Sequence, residues 1–290
     1  MREVRVDDAA DPRLADYALL DGHGALRTHV GDDRFVAEGP IAIARTLDSG
    51  HRLRSVVVTP QRRDALLAAV PDLATTDVDC FVLERDLLAD VVGFDLHRGV
   101  LAAADRRPAT PLAELAASAR RAVVLVGLND AQNVGLIART ARALGADALV
   151  LDPRCTDPYA RRTVRVSMGE VLHLPTARAE AWPEGLDVLH AAGVETWALT
   201  PAVDADDLWA ATAGALPERL AIVLGAEGPG LDPATMGRAE RRVRIPIAPD
   251  VDSLNVGHAA AVALAAIGRA DRAHDTGDRP GASSRTHEGV

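Results

Sequence analysis

The stretch AVVLVGL, residues 122–128, is a continuous apolar run of strand length bounded by polar loop residues. Runs of this kind are buried on both faces, as in a parallel sheet. It leads into NDAQNVGLIARTARALGAD (129–147), which reads as an Ala-rich helix, and then into the strand ALVLD (148–152). Strand, helix and strand in that order make a βαβ unit, in which the helix carries the chain back so that the two strands lie parallel. The alternation continues. After the irregular PRCTDPYARRTVRVSMGEVLHLP come a helix near 184–192 and the strands ETWALT (195–200) and RLAIVLG (219–225). A helix near 233–240, the strand RVRIPI (242–247) and a last helix from about Val256 to Ala270 complete the series. This order predicts an α/β fold, an open, mostly parallel sheet with helices on both faces.

Upstream, DRFVAEGPIAIARTLDSGHRLRSVVVTP reads from Asp33 as an apolar helix, a loop and the strand SVVVT ending at Pro60. The helix RRDALLAAV, the strand DCFVLE, the helix DLLADVVG and the closing strand RGVLAAAD then make a smaller α/β unit spanning residues 1–105. RRPATPLAELAASARR (106–121) shifts to Pro, Ala and Arg, as suits a linker followed by a short helix, which places the boundary there and the second unit at 122–270. Residues 271–290 carry no periodic apolar positions and are expected to be disordered. With 48% hydrophobic residues, 290 residues suffice for two ordinary domains.

No apolar run reaches the roughly 18 residues of a spanning helix, and MREVRVDDAADPR is charged where a signal peptide is apolar, so no membrane contact and a cytoplasmic address are expected. Cys80 and Cys155 are far apart and lack metal-type spacing, so neither a disulfide nor a metal is expected. A net charge of −10 opposes simple nucleic-acid binding, which needs a basic surface somewhere. Local patches meet that objection. All 32 basic residues are arginine, and some of them cluster in RRTVR (161–165), in RAERRVR (238–244) and at Arg52 and Arg54. Arginine forks suit phosphate, although such clusters also serve as solvated faces.

Ligands of parallel sheets bind beyond the carboxyl ends of the strands. Three loops in that position stand out: LNDAQNVG after 122–128, GAEGPGLD after 219–225 and APDVDSLNVG after 242–247. Each joins glycine or proline to amide, hydroxyl or carboxylate groups, so that backbone approaches a ligand closely while a few side chains orient it. Taken singly they are ambiguous. GAEGPG is not the dinucleotide fingerprint and could be a plain turn, Glu227 could be a solvated turn residue, and Ser253 and Asn255 could cap the last helix. On the first helix Val134, Ile137, Ala141 and Gly145 form one stripe that should face the sheet. Arg139 points roughly the other way, with Leu136 and Ala143 on its face. That side is not uniformly polar and is compatible with an interface.

Together, in order and each after a strand, NDAQNVGLIARTARALGAD, AIVLGAEGPGLD and RIPIAPDVDSLNVGHAAAVAL resemble the three motifs of the SpoU (TrmH-like) branch of the SPOUT RNA methyltransferases. FVAEGPIAIARTL and HRGVLAAAD in the first 105 residues resemble that family's L7Ae/L30e-like substrate-binding domain. The resemblance implies a 2′-O-ribose methyltransferase that uses S-adenosylmethionine (AdoMet), works as a homodimer and carries a C-terminal trefoil knot. It implies catalytic or site-forming roles for Asn133, Arg139, Glu227, Ser253 and Asn255, and cofactor contacts at Leu224, Gly225, Glu227, Gly228, Ile245, Ile247, Ser253 and Leu254. These positions show no departure; Gly257 stands where many relatives carry serine.

Methyl transfer from a sulfonium to a ribose hydroxyl needs in-line positioning and a group to stabilise the developing alkoxide. Arginine suits that job and phosphate anchoring, but not general-base work, because it stays protonated. Arg139 is therefore expected to hold phosphate and the nucleophilic oxygen, reaching the partner subunit's site. An L7Ae/L30e-like extension favours structured ribosomal RNA over transfer RNA, with Arg161, Arg162, Arg165 and the loop around His97 and Arg98 as the RNA contacts. Two rival readings are a non-catalytic RNA-binding protein on the same fold, and a nucleotide-dependent oxidoreductase, which the missing fingerprint disfavours.

Overall fold

In this computed structural model, residues 1–18, 20, 33–96 and 99–277 are described. The N-terminal part contains β1 (Arg2–Arg5), β2 (Arg34–Glu38), α1 (Pro40–Asp48), β3 (Leu53–Val58), α2 (Pro60–Ala69), β4 (Asp79–Val82), α3 (Arg85–Val92) and β5 (Val100–Asp105). Its sheet has the order β1-β4-β3-β5-β2, with β5 antiparallel to both β2 and β3 and the remaining pairs parallel.

Two strands here depart from the expectation. The helix expected from Asp33 is instead β2 followed by α1, because Phe35, Val36 and Ala37 pair with Ala104, Ala103 and Ala102 of β5 and are buried there. Gly39, at φ +89°, ends the strand and Pro40 opens the helix, the position where a missing N–H costs nothing. The charged N-terminus, read as polar chain, forms the edge strand β1, tied by Arg2 to Asp79 at 2.7 Å.

Beyond the linker lie α4 (Leu112–Ser118), β6 (Arg121–Val126), α5 (Ala131–Ala143), β7 (Ala148–Leu151), α6 (Arg161–Val166), β8 (Thr176–Arg178), α7 (Gly185–Ala191), β9 (Glu195–Leu199), β10 (Asp206–Asp207), α8 (Leu208–Ala211), β11 (Leu220–Gly225), α9 (Pro233–Arg238), β12 (Arg241–Arg244) and α10 (Val256–Gly277). The sheet order is β10-β12-β9-β11-β6-β7-β8, and all its pairs are parallel. Every residue of β6 is buried, as a central strand covered on both faces requires. On one face Val123, Leu125, Ile222 and Leu224 pack against Val134, Ile137 and Ala141 of α5 and Leu264 and Ile267 of α10. On the other, Ala122, Val124, Ala221 and Val223 meet Leu115 of α4 and Leu186 and Leu189 of α7. Truncating a fully buried side chain such as Ile137 to alanine costs about 2–5 kcal/mol.

Other boundaries move for identifiable reasons. The irregular stretch 153–175 holds α6, and β8 follows directly after it; both are too short to show periodicity. The strand expected to reach 247 stops at Arg244, two residues before Pro246, which has no N–H to donate to a ladder. Gly145 lies beyond the end of α5 at φ +94° and is exposed, so the buried stripe is Val134, Ile137, Ala138 and Ala141. The tail expected from residue 271 begins inside α10, which continues to Gly277. Asp271 anchors that extension by pairing with Arg121 of β6 at 2.5 Å. Residues 278–290 lie outside the described residues.

The two sheets meet through Glu38, only 4% exposed at the end of β2, which pairs with Arg161 at 2.5 Å and Arg165 at 3.2 Å on α6. Phe35 packs on Tyr159 beside them, ring centroids 5.1 Å apart.

Candidate active site

The loops after β9 and β11 and the segment between β12 and α10 enclose a cavity of about 510 Å³. All eight positions expected to contact a cofactor line it: Leu224, Gly225, Glu227, Gly228, Ile245, Ile247, Ser253 and Leu254. Glycine shapes the first wall. Ala226 and Gly230 form a bridge across the loop, the Gly230 N–H donating to the Ala226 carbonyl at 3.0 Å, with Gly228 and Gly230 at positive φ. A Cβ on Gly225 would collide with the Gly230 backbone and lie 2.5 Å from the Leu231 nitrogen, so the turn closes only over glycine. Asp232 then starts α9, accepting from the Thr235 backbone at 2.8 Å. That hydrogen bond comes first among the causes holding its carboxyl below the usual carboxylate range.

Asn255 joins all three loops. Its Oδ1 accepts from the Gly257 and His258 backbones at 2.9 and 3.3 Å, capping α10, while its Nδ2 donates to Glu227 and, at the long limit of 3.5 Å, to Asn133 Oδ1. Capping and site-forming are thus one arrangement, since the two ends of a single amide perform both. Asn133 is positioned by the start of α5, where Asp130 accepts from the Gln132 backbone at 2.9 Å. Ser253 is exposed at the cavity and does not cap the helix.

Arg139 is not brought to this cavity. It lies on the exposed face of α5 and, among the described residues, has no hydrogen bond or ion pair. Leu136 on the same helix face is 39% exposed, and Leu254 at the cavity rim 38%.

Leu199, Thr200 and Pro201, outside the three loops, also line the cavity. The rule that ligands gather after strands applied equally to ETWALT, but its loop lacks the glycines that drew attention to the others.

The arginine patch at 161–165 has partners within the protein. Arg161 and Arg165 hold Glu38 between the two sheets, and Arg161 also stacks on Phe94 at 4.5 Å. Arg162 donates to Gln132 at 2.8 Å. Arg161 and Arg165 thus act as a structural clamp, because a nearly buried carboxylate demands compensating charge. In the second patch Arg238, Arg241 and Arg242 pair with Asp187, Asp206 and Asp204. Arg98 lies outside the described residues. Among the described residues no group of three or more His, Cys, Asp or Glu could hold a metal, and no helix is long and apolar enough to cross a membrane.

Comparison with known proteins agrees with this geometry. An uncharacterized tRNA/rRNA methyltransferase of Mycobacterium tuberculosis is 42% identical over 262 residues, 89% of each chain. The 23S rRNA (guanosine(2553)-2′-O)-methyltransferase RlmP of Bacillus subtilis is 25% identical over 260 residues, 89% of this chain and 96% of that one. The crystal structure of an AdoMet-bound rRNA methyltransferase from Sinorhizobium meliloti shares the fold, with a TM-score of 0.74 at 24% identity over 92% of this chain and 98% of that one. Residues 120–265, which contain all three loops and the cavity's residues, match the SpoU rRNA Methylase family, and the chain belongs to that family.

Proposed function

We propose that this chain is an AdoMet-dependent RNA 2′-O-ribose methyltransferase that modifies ribosomal RNA as a homodimer. The observation that carries the reading is the convergence of Leu224, Gly225, Glu227, Gly228, Ile245, Ile247, Ser253 and Leu254 on one cavity, with Asn255 linking Glu227 and Asn133 at its edge. About 510 Å³ is ample for a small-molecule cofactor. Apolar walls from Leu199, Leu224, Ile245 and Ile247 suit a purine face, and Thr200, Glu227 and Ser253 suit polar groups. AdoMet, when bound, supplies an electrophilic methyl group.

The chain's own residues then position the acceptor. The closed glycine turn and the Asn255 amide hold the loops rigid, so that little reorganisation remains for the reacting step. Arg139, without an ion pair among the described residues on the outer face of α5, reaches the partner subunit's cavity, anchors a phosphate and stabilises the ribose oxygen as it loses its proton. The exposed Leu136 beside it supports a subunit interface on this face. Residues 1–105 form the L7Ae/L30e-like RNA-selecting unit, 106–121 the linker and 122–270 the catalytic unit with its C-terminal trefoil knot, in a cytoplasmic enzyme. The relatives named for ribosomal RNA and for 2′-O transfer support the substrate, and transfer RNA is the alternative.

The test is transfer of labelled methyl groups from AdoMet to unmodified total RNA, fractionated by size and digested with alkali. Label in large RNA, recovered as alkali-resistant dinucleotides because a methylated 2′ oxygen cannot cleave its own phosphodiester, is the expected result. Arg139→Ala should lower the rate by roughly 10²–10³-fold, as for loss of one transition-state donor, and leave AdoMet affinity unchanged. Full turnover in that variant would refute its role; label confined to small RNA would transfer the assignment to transfer RNA.

A further inference from the structure

A second cavity, of about 660 Å³, lies between the linker and the catalytic unit, passing the carboxyl end of β7 and running along the edge strand β8 from residues 171–175, which lead into it, to Arg178 at its carboxyl end. Cationic and imidazole groups line it. Arg106 is 14% exposed, donates to Asp157 at 2.8 Å and stacks on Tyr159 at 4.6 Å, yet its buried Nη1 has no hydrogen-bond partner. His173 Nε2 is likewise buried without a partner. Arg178 spends its guanidinium on the backbone carbonyls of Asp152 and Cys155 at 2.7 and 2.9 Å, and Arg107 donates to the Ser49 carbonyl. Neither neutralises a carboxylate. The two acids of the lining are already engaged, Asp33 by Arg54 at 2.7 Å and Asp157 by Arg106. Arg107 and Arg178 therefore leave the crevice locally positive in a chain of net charge −10, and three of its buried polar atoms, Arg106 Nη1, His173 Nε2 and Asp157 Oδ2, have no hydrogen-bond partner; an oxyanion completes the two nitrogens, while Asp157 Oδ2 stays 2.7 Å from Arg106 Nη2.

Its place in the sheet connects it to the cofactor cavity. The strand order β11-β6-β7-β8 puts the Arg178 end of the crevice on the same carboxyl edge as the cofactor cavity, three strands away, roughly 14 Å at about 4.8 Å per step, with His173 toward the amino side of β8. The edge between them is continuous: a Cβ on Gly127, after β6, would lie 3.7 Å from Arg154 after β7 and 3.8 Å from Ala226 after β11.

We infer that this crevice binds a phosphodiester of the substrate RNA a few nucleotides from the target, with Arg106, Arg107, His173 and Arg178 as its ligands. The inference rests on the RNA-methyltransferase reading above. A phosphate gripped there also touches both the linker and the catalytic unit, so RNA binding holds the two in one orientation.

The experiment compares the full-length chain with His173→Glu and His173→Gln in RNA binding across a salt series, in AdoMet titration and in thermal melting. Glutamate should weaken RNA binding by at least ~10-fold and reduce the salt slope by about one. Glutamine, which keeps a donor, should stay within a few-fold of wild type, and AdoMet affinity should not change. Arg107→Ser, at an exposed position on the crevice rim, supplies an independent loss of slope if the glutamate variant melts early. Wild-type RNA affinity and slope in stably folded His173→Glu and Arg107→Ser, with methyl transfer intact, would overturn this site and leave the methyltransferase reading standing. A wild-type chain that neither binds nor methylates RNA would overturn both.

Discussion

Asn255 shows how one side chain can serve stability and site geometry together. Removing it as Asn255→Ala deletes the α10 cap, at about 0.5–2 kcal/mol, and frees Glu227, so both the melting temperature and AdoMet affinity should fall. Asn255→Asp separates the two roles. The carboxylate still accepts from the Gly257 and His258 backbones but faces Glu227 with like charge, so thermal melting should recover while AdoMet titration remains weak. Equal recovery of both would mean that the Glu227 contact is irrelevant. Asn255, Glu227 and Asn133 were nameable from the motifs, but their hydrogen bonding to one another was not, because Asn133 and Asn255 stand 122 residues apart. Arg139 was legible in the opposite way. Helical periodicity alone turned it outward, where the structure has it.

At the level of elements, the central strands and the long helices were readable because apolar runs and 3.6-residue stripes extend over enough residues to be recognised. The short or charged elements were not. β1, α6, β8 and the last turns of α10 are held by tertiary partners rather than by local pattern. The Arg121–Asp271 pair makes this testable. Arg121's hydrogen bond holds the Asp271 carboxyl below the ordinary carboxylate range. Its stabilisation is therefore complete above the ordinary aspartate pKa of about 3.9 and is lost as pH falls through the lowered folded value. Asp271→Asn should lower the melting temperature at neutral pH and flatten its decline in acid. An acid limb as steep as that of wild type, measured by thermal unfolding from pH 6 to pH 2, would show that this carboxylate does not contribute.

On the scale of the whole molecule, the proposed dimer makes a prediction that no monomer does. Ile247→Arg drives charge into the cofactor cavity and leaves Arg139 intact; Arg139→Ala does the reverse. Each homodimer should be inactive. Unfolded together and refolded, the two should regain roughly a quarter of wild-type activity, since half the dimers of a two-fold assembly are hybrids with one intact site each. No recovery, with hybrid dimers demonstrated by mass, would mean that Arg139 serves its own subunit's cavity or none. The Glu38 clamp belongs to this scale too. A sequence presents RRTVR as a basic patch, and only the neighbouring sheet reveals that two of its arginines answer a nearly buried acid.

The sequence by itself determined the α/β class, the alternation that builds the parallel sheet, the three loops and the outward aspect of Arg139, because these follow from periodicity and from chemistry carried within short windows. Tertiary structure alone decided that those loops close on one cavity, that two arginines of a cluster became a clamp, and that unpartnered Arg106 and His173 atoms share a crevice. Each of these outcomes depends on groups far apart in the chain, and only packing says which distant charge or amide will be buried beside which.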